Sequence, residues 1–171
     1  MTSQTPHPAT IDPDELLRQC DVQRLRRSGP GGQRRNKVET AIALRHRPTG
    51  VEAEASERRS QAENQAIALR RLRLNLALQI RGPHAREGGP SLLWRSRLHK
   101  GRVQVNPSHK DFPALLAEAL DVVLANDGDV VESAQWLLCT TSQLIKFLKL
   151  EPRALALVNR RRQQLGRHPL K

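Results

Sequence analysis

The stretch that most constrains this chain is residues 28–33, with the sequence SGPGGQ. Glycine adopts backbone angles that are closed to other residues, and proline fixes its own φ and disfavours the α region for the residue before it. These residues cannot form the interior of a helix or a strand, so we predict a loop. Gln33 ends it with an uncharged side chain that offers one acceptor oxygen and two N–H donors.

Basic side chains surround this loop. They are Arg24, Arg26 and Arg27 before it, and Arg34, Arg35 and Lys37, with Asn36 among them, after it. The whole chain carries a formal net charge of +12, and most of its basic residues are arginine. Because the guanidinium group binds phosphate in a bidentate manner and stacks on bases, this composition predicts a nucleic acid as partner.

The sequence around the loop continues as an ordered series of short motifs. They are RSGPGGQ at 27–33, NKV at 36–38, TAI at 40–42, RHRPTGV at 45–51 and ERRSQ at 57–61. This series resembles the Gly-Gly-Gln domain of class I peptide chain release factors over roughly residues 12–81. The chain departs from the usual family pattern by placing Arg34 and Arg35 directly after Gln33.

The resemblance implies hydrolysis of the ester that joins the nascent peptide to the P-site tRNA. The peptidyl transferase centre of the ribosome would supply most of the active site, with no cofactor or metal. Gly31 and Gly32 would let the backbone bend so that Gln33 reaches the ester. The backbone N–H of Gln33 would stabilise developing negative charge or the leaving 3′-hydroxyl. Its side-chain amide would shape the water pocket. A glutamine methyltransferase would methylate this amide at N5.

The same resemblance implies contacts with ribosomal RNA, which should weaken steeply as salt rises. The expected RNA-binding residues are Arg26, Arg27, Arg34, Arg35, Asn36, Lys37, Arg160, Arg161 and Arg162. The last three begin a basic C-terminal tail that would contact the mRNA channel, as the tails of stand-alone rescue factors do.

Stop-codon-reading members of the family carry a codon-recognition domain before the loop, whereas here the loop begins at Ser28. The chain is therefore similar to the stand-alone hydrolases that rescue stalled ribosomes, and we expect codon-independent release. The alternative is a non-catalytic ribosome- or RNA-binding protein that keeps the fold. A helix-turn-helix DNA regulator is a more distant third.

The predicted fold class is α+β, with a small mixed β-sheet and a packed long helix followed by an all-α module. Pattern and capping signals favour a short helix from Asp12, three strands, and a long helix from about 61 to 80, on which Arg70, Arg71 and Arg73 would be solvated. The predicted divisions are a disordered lead at 1–11, the Gly-Gly-Gln domain at 12–81, a linker and docking segment with an isolated strand at 82–111, and the helical module at 112–171.

Within the helical module, residues 130–137 and 142–148 resemble a helix-turn-helix in which Leu138 stands where the motif usually has glycine. One interpretation has Thr141, Gln143, Lys146 and Lys149 contacting nucleic acid. The other is a bundle that only packs. We favour the bundle because residues 111–151 contain seven acids against two lysines.

Other functional classes find little support in the sequence. Cys20 and Cys139 follow no metal-ligand spacing, no histidine forms a recognisable pair with either, and residues 29–33 lack the Lys-Ser/Thr of a phosphate-binding loop. The first ten residues lack the apolar core of a signal peptide, and no apolar run is long enough to span a membrane. We therefore expect a monomeric cytoplasmic protein.

Overall fold

The computed structural model describes residues 6–26, 40–82 and 88–171. Its main sheet has three strands in the order β1 (Cys20–Leu25), β2 (Ala41–His46) and β3 (Glu52–Ala55). The sequence analysis predicted a mixed sheet, whereas both pairings in the described sheet are antiparallel. The two sheet faces differ because side chains alternate along a strand: Ile42 and Leu44 of the central strand are buried, and Arg45 is exposed.

Seven α-helices occur in the described ranges, which confirms the α+β class. They are α1 (Pro13–Arg18), α2 (Gln61–Gln79), α3 (Leu92–Ser96), α4 (Phe112–Ala125), α5 (Val130–Trp136), α6 (Thr141–Lys149) and α7 (Pro152–Gln164). As predicted, residues 112–171 contain helices and no strand. None of the helices in the described ranges is long and apolar enough to cross a bilayer.

Helix α2 covers the buried face of the sheet. Its first turn is capped by the Ser60 hydroxyl, which accepts a hydrogen bond from the backbone N–H of Glu63 at 3.4 Å. The face that packs on the sheet and on α4 runs at four-residue intervals through Asn64, Ala68, Leu72 and Leu76, all fully buried. Ala62 and Ala66 of the same helix lie off this face, since both are exposed.

The prediction that Arg73 is solvated was also wrong, because only 8% of it is exposed. Its Nη1 donates to the carbonyl of Lys110 at 2.5 Å, and its Nη2 donates to the carbonyl of Ala9 at 3.1 Å. Ala9 belongs to a 3₁₀ turn, Pro8–Thr10, and is itself fully buried. Residues 8–10 are thus folded onto α2 and are not part of a disordered lead.

The segment before the helical module is also more ordered than expected. Its strand at Arg102–Val103 (β5) is not isolated, since it pairs with Leu98–His99 (β4) in a short antiparallel hairpin. Helix α3 precedes this hairpin and buries Trp94 completely. Trp94 packs edge-to-face on Phe147 of α6, with ring centroids 5.4 Å apart.

One hydrophobic core runs through the described residues. It joins Ile42 of the sheet and Leu72 of α2 to Leu116 of α4 and Leu148 of α6. The helical module therefore packs into the core of the sheet-and-helix domain. The division boundaries given above remain predictions.

Candidate functional site

The predicted catalytic residues, Gly31, Gly32 and Gln33, lie outside the described residues. So do five of the predicted RNA-binding residues: Arg27, Arg34, Arg35, Asn36 and Lys37. The structure does describe both ends of the connection that carries them, and it shows what fixes those ends.

The two ends of this connection are neighbours in the sheet. Leu25, the last residue of β1, pairs with Ala41, the first residue of β2, and Arg24 pairs with Ile42. Residues 26–40 therefore join two adjacent antiparallel strands, and the ladder sets where the connection leaves and re-enters the fold. Because Ala41 and Ile42 are both buried, the re-entry point is anchored in the core.

Asn64 holds the second end of the connection. Its Nδ2 donates to the carbonyl of Thr40 at 2.6 Å and to the carbonyl of Arg58 at 2.9 Å, and its Oδ1 accepts from the backbone N–H of Arg58 at 2.9 Å. Asn64 is fully buried on α2, so these bonds form away from water. One side chain thus ties together helix α2, the segment that leads into it, and the end of the Gly-Gly-Gln connection.

Arginines are exposed at this end of the sheet. Arg26 follows β1, and Arg58 and Arg59 lie in the segment that Asn64 holds beside Thr40. The neighbouring Glu57 is paired with Arg71, whose hydrogen bond lowers the pKa of the Glu57 carboxyl. The base of the connection is therefore surrounded mainly by positive charge, which suits a phosphate-rich partner.

The opposite end of the sheet is held by the turn after β2. Arg47 donates to the carbonyls of Cys20 (2.9 Å) and Arg18 (2.6 Å). His46 is buried, with Nδ1 2.7 Å from the Thr49 hydroxyl oxygen and Nε2 3.2 Å from Gln19 Oε1. These motif residues therefore support the scaffold and lie at the end of the sheet away from the Gly-Gly-Gln connection.

The predicted RNA-binding residues in the C-terminal region are not equivalent. Arg161 is paired with Asp127 at 2.5 Å, and Arg162 donates from Nη1 to the carbonyl of Gly128 at 2.5 Å. Arg160 is exposed and makes no ion pair with any residue in the described ranges. Two of the three arginines thus already bind the turn between α4 and α5.

The predicted basic C-terminal tail is folded back on the protein. After α7 the chain turns back on the helix: Leu170 N–H donates to Asn159 Oδ1 at 2.7 Å, and Asn159 Nδ2 returns a bond to the Leu170 carbonyl at 3.1 Å. Arg162 Nε also donates to the carbonyl of His168 at 2.8 Å. These contacts satisfy backbone groups that a free tail would expose to water.

The described cysteines do not form a nucleophilic site. Burial raises the pKa of the Cys139 thiol to about 11 and also raises the pKa of Cys20, so both stay protonated at neutral pH. Within the described ranges no group of three or more His, Cys, Asp or Glu side chains is arranged to hold a metal ion.

Two structural roles were not predicted from the sequence: Asn64 fixes one end of the Gly-Gly-Gln connection, and Arg47 holds the opposite end of the sheet. Asn64 had a usable signal, since it is a polar residue in line with Ala68, Leu72 and Leu76 on the apolar stripe of α2. A buried amide in such a stripe needs partners and therefore indicates a specific hydrogen-bonded contact. Arg47 offered no such signal, because its carbonyl partners come from a segment nearly thirty residues away.

The fold and site define an α+β domain in which a Gly-Gly-Gln connection leaves from the edge of a three-stranded sheet. Residues 9–91 match the RF-1 domain family. The chain is 40% identical over 75 residues to the mitochondrial peptide chain release factor 1 of Bos taurus, which covers 44% of this chain and 17% of that protein. It is 47% identical over 64 residues to a chloroplast peptide chain release factor of Arabidopsis thaliana, covering 37% and 13%.

A bacterial relative, peptide chain release factor 1 of Acidiphilium cryptum, is 39% identical over 80 residues, covering 46% of this chain and 23% of that protein. No solved structure matches the chain significantly. Residues 9–91, just under half of the chain, are thus similar to the RF-1 domain of peptide chain release factors. The shared segment spans less than a quarter of each of these three relatives.

Proposed function

We propose that this protein hydrolyses the peptidyl-tRNA ester on the ribosome and so releases the nascent peptide. The observation that carries the proposal is the match of residues 9–91 to the RF-1 domain, which includes the intact Gly31-Gly32-Gln33 motif. The relatives that share this segment are named peptide chain release factors. The partners of this reaction are ribosomal RNA and the P-site peptidyl-tRNA.

Gln33 is the residue that meets the substrate in this proposal. Its backbone N–H stabilises the charge that develops as the ester opens, and its side-chain amide shapes the pocket for the attacking water. Gly31 and Gly32 give the backbone the freedom to present that N–H. Methylation of the Gln33 amide by a glutamine methyltransferase would add packing within the same pocket.

The scaffold supports this role through the ends of the connection. The Leu25–Ala41 pairing and the Asn64–Thr40 hydrogen bond fix the base from which the motif reaches outward. A fixed base reduces the entropy lost when a loop is placed in a productive geometry. Arg26, Arg58 and Arg59 lie near this base, and we assign them contacts with ribosomal RNA phosphates alongside Arg27, Arg34, Arg35, Asn36 and Lys37.

We further propose that release requires no stop codon in the decoding site. The RF-1 domain match ends at residue 91, and the hairpin and the helices from α3 onward are not part of it. In this proposal the helical module, whose tail is folded back on α7, replaces an extended tail as the second point of ribosome contact. Arg160 on α7 and Arg167 after it are exposed arginines of this module.

The test is peptide release from ribosomes that carry labelled peptidyl-tRNA on an mRNA without a stop codon, with a stop-codon complex as the second arm. We expect release in the first arm by the wild-type protein and not by Gln33→Ala. Release only in the second arm would overturn codon independence and leave hydrolysis standing. Ribosome binding without release in either arm would favour the non-catalytic RNA-binding alternative.

A further inference from the structure

The β4–β5 hairpin and the α5–α6 helix pair form a single unit. Thr140, the N-cap residue of α6, donates its backbone N–H to the carbonyl of Gly101 at the hairpin turn, at 3.4 Å. Trp94 of α3, just before the hairpin, donates from Nε1 to the carbonyl of Leu137 between the two helices, at 2.8 Å. The hairpin is therefore held beside the first turn of α6, as a wing is held beside a helix-turn-helix.

In the turn between α5 and α6, Leu138 stands where that motif usually has glycine. Leu138 adopts φ of +57°, the left-handed conformation that glycine reaches at lower cost. The conformation sets the direction in which α6 leaves α5. Leucine therefore replaces glycine here while the backbone keeps the left-handed conformation.

One side of α6 is polar and exposed. Ser142, Lys146 and Lys149 follow one another at four- and three-residue intervals and are all exposed, whereas Leu144 and Leu148 are fully buried against the core. The hairpin adds exposed Lys100 and Arg102 at the N-terminal end of the helix. We call residues 98–103 together with 141–149 the hairpin–helix surface.

The acidic surplus of this region does not lie free on the surface. Five of its seven acids are in ion pairs: Asp111 with Arg97, Asp121 with Arg81, Asp127 with Arg161, Asp129 with Arg167, and Glu151 with Arg153. Glu118 accepts hydrogen bonds from the N–H and hydroxyl of Ser91, and Glu132 is exposed on α5. Because most of these carboxylates are already paired, the negative charge of the module opposes nucleic-acid binding less than its sequence indicates.

The cations of the hairpin–helix surface are in the opposite situation. Lys100, Arg102, Lys146 and Lys149 make no ion pair and no side-chain hydrogen bond with any residue of the described ranges. Helix α6 has nine residues and is about 13 Å long, so the four charges flank a helix of about two and a half turns. Exposed unpaired cations at both ends of one short helix suit a partner with regularly spaced negative charge.

We propose that the hairpin–helix surface binds the sugar–phosphate backbone of double-helical RNA. The first two side chains of α6, Thr141 and Ser142, are short, so they do not extend to base edges at the bottom of a groove. The surface therefore recognises shape and backbone. The wide minor groove of A-form RNA presents phosphates to the lysines and 2′-hydroxyls to Ser142. This binding requires neither Gln33 nor peptide release.

The experiment measures binding of the full-length protein to a short labelled RNA duplex of mixed sequence over a range of salt concentrations. The test variant combines Lys100→Ala, Arg102→Ala, Lys146→Ala and Lys149→Ala. The control removes the same number of exposed cations elsewhere, with Arg18→Ala, Arg45→Ala, Lys110→Ala and Lys171→Ala. Circular dichroism verifies that both variants are folded.

We expect the test variant to lose affinity by at least about tenfold and its salt dependence, log K against log salt, to be shallower by about 3, since four phosphate contacts are removed. The control should change this slope by less than about 1. An equal loss in both variants would show that binding follows net charge alone and would overturn the proposal. An unchanged affinity of the test variant would do the same.

Two further comparisons identify the ligand. The wild-type protein should bind the RNA duplex more tightly than a DNA duplex of the same sequence, and Ser142→Ala should reduce that preference. Tighter binding of DNA would overturn the assignment to RNA. Gln33→Ala should bind the RNA duplex as the wild type does, so a failure of peptide release and a failure of this surface are told apart.

Discussion

Asn64 Nδ2 lies 2.6 Å from the carbonyl oxygen of Thr40, and this contact joins the middle of the fold to the end of the Gly-Gly-Gln connection. The donor is on a fully buried side chain, whereas the acceptor is the last described residue of the connection. A core hydrogen bond of this kind links stability and presentation of the motif, because the same atoms that fill the core also fix one end of the loop.

Replacing Asn64 with leucine should lower the free energy of unfolding by about 2–5 kcal/mol, because the Thr40 carbonyl and both backbone polar groups of Arg58 lose their partner. Urea denaturation measures the loss. The matched control is Gln79→Leu, an exposed amide on the same helix, which should change the stability by less than about 0.5 kcal/mol. Equal effects of the two changes would contradict the role of Asn64.

Arg73→Met should also destabilise the protein, by about 2–4 kcal/mol, since the carbonyls of Ala9 and Lys110 would be left without a donor. Amide hydrogen exchange should then rise in residues 8–10 before it rises in the sheet. Arg70→Met is the control: Arg70 donates to the Pro107 carbonyl from an exposed position, so its loss should cost less than about 1 kcal/mol. Unchanged protection of residues 8–10 in Arg73→Met would refute this anchoring.

Buried His46 should make stability depend on pH. Burial lowers its pKa, and the neighbouring Arg47 lowers it further, so the folded protein keeps the ring neutral where the unfolded chain takes up a proton. The free energy of unfolding should therefore be constant above about pH 7 and fall as the pH drops below about 6.5, by up to about 1.4 kcal/mol per pH unit.

The pH effect of His46 is isolated by comparing urea denaturation of the wild type and His46→Gln at pH 7.5, 6.5 and 5.5. The variant should be less stable at neutral pH and show a shallower loss below pH 6.5. A residual slope is expected because burial also lowers the pKa of His7. Identical slopes in both proteins would show that His46 is not the responsible group.

Leu138→Gly should stabilise the protein by about 0.5–1 kcal/mol, although it removes a large side chain. Leu138 is exposed and has φ of +57°, so glycine relieves backbone strain at little loss of packing. The control is Leu165→Gly, because Leu165 is similarly exposed but has φ of −100°. It should be neutral or destabilising, and thermal unfolding of both variants distinguishes strain relief from a general effect of glycine.

The sequence predicted the elements of this fold well where local signals were strong. The short helix from Asp12 and the long helix capped by Ser60 both begin where the sequence predicts a helix. It failed where tertiary contacts override pattern: Arg73 reads as a solvated residue until the carbonyls of Ala9 and Lys110 are brought to it. The role of Asn64 was not predicted either, although its place on the apolar stripe of α2 indicates a buried, hydrogen-bonded amide.

For the candidate site, too, local sequence motifs could be identified but tertiary contacts could not. The motif and the family could be identified from residues 27–61 alone, because the order of short segments is specific. The partners of the charged side chains could not be predicted, because they come together only in the folded chain. Arg161 and Arg162 bind the α4–α5 turn, and most acids of residues 111–151 are in ion pairs.

The most direct test of the central claim is the first-order rate of peptide release at saturating protein, with ribosome occupancy measured in the same samples. The wild-type protein should release peptide well above the factor-free rate. Gln33→Ala should bind the ribosome equally but release peptide at least about a hundredfold more slowly. The substitution removes the side-chain amide that shapes the pocket for the attacking water, so water and ester lose their alignment. Equal release rates for the two proteins at equal occupancy would contradict this claim.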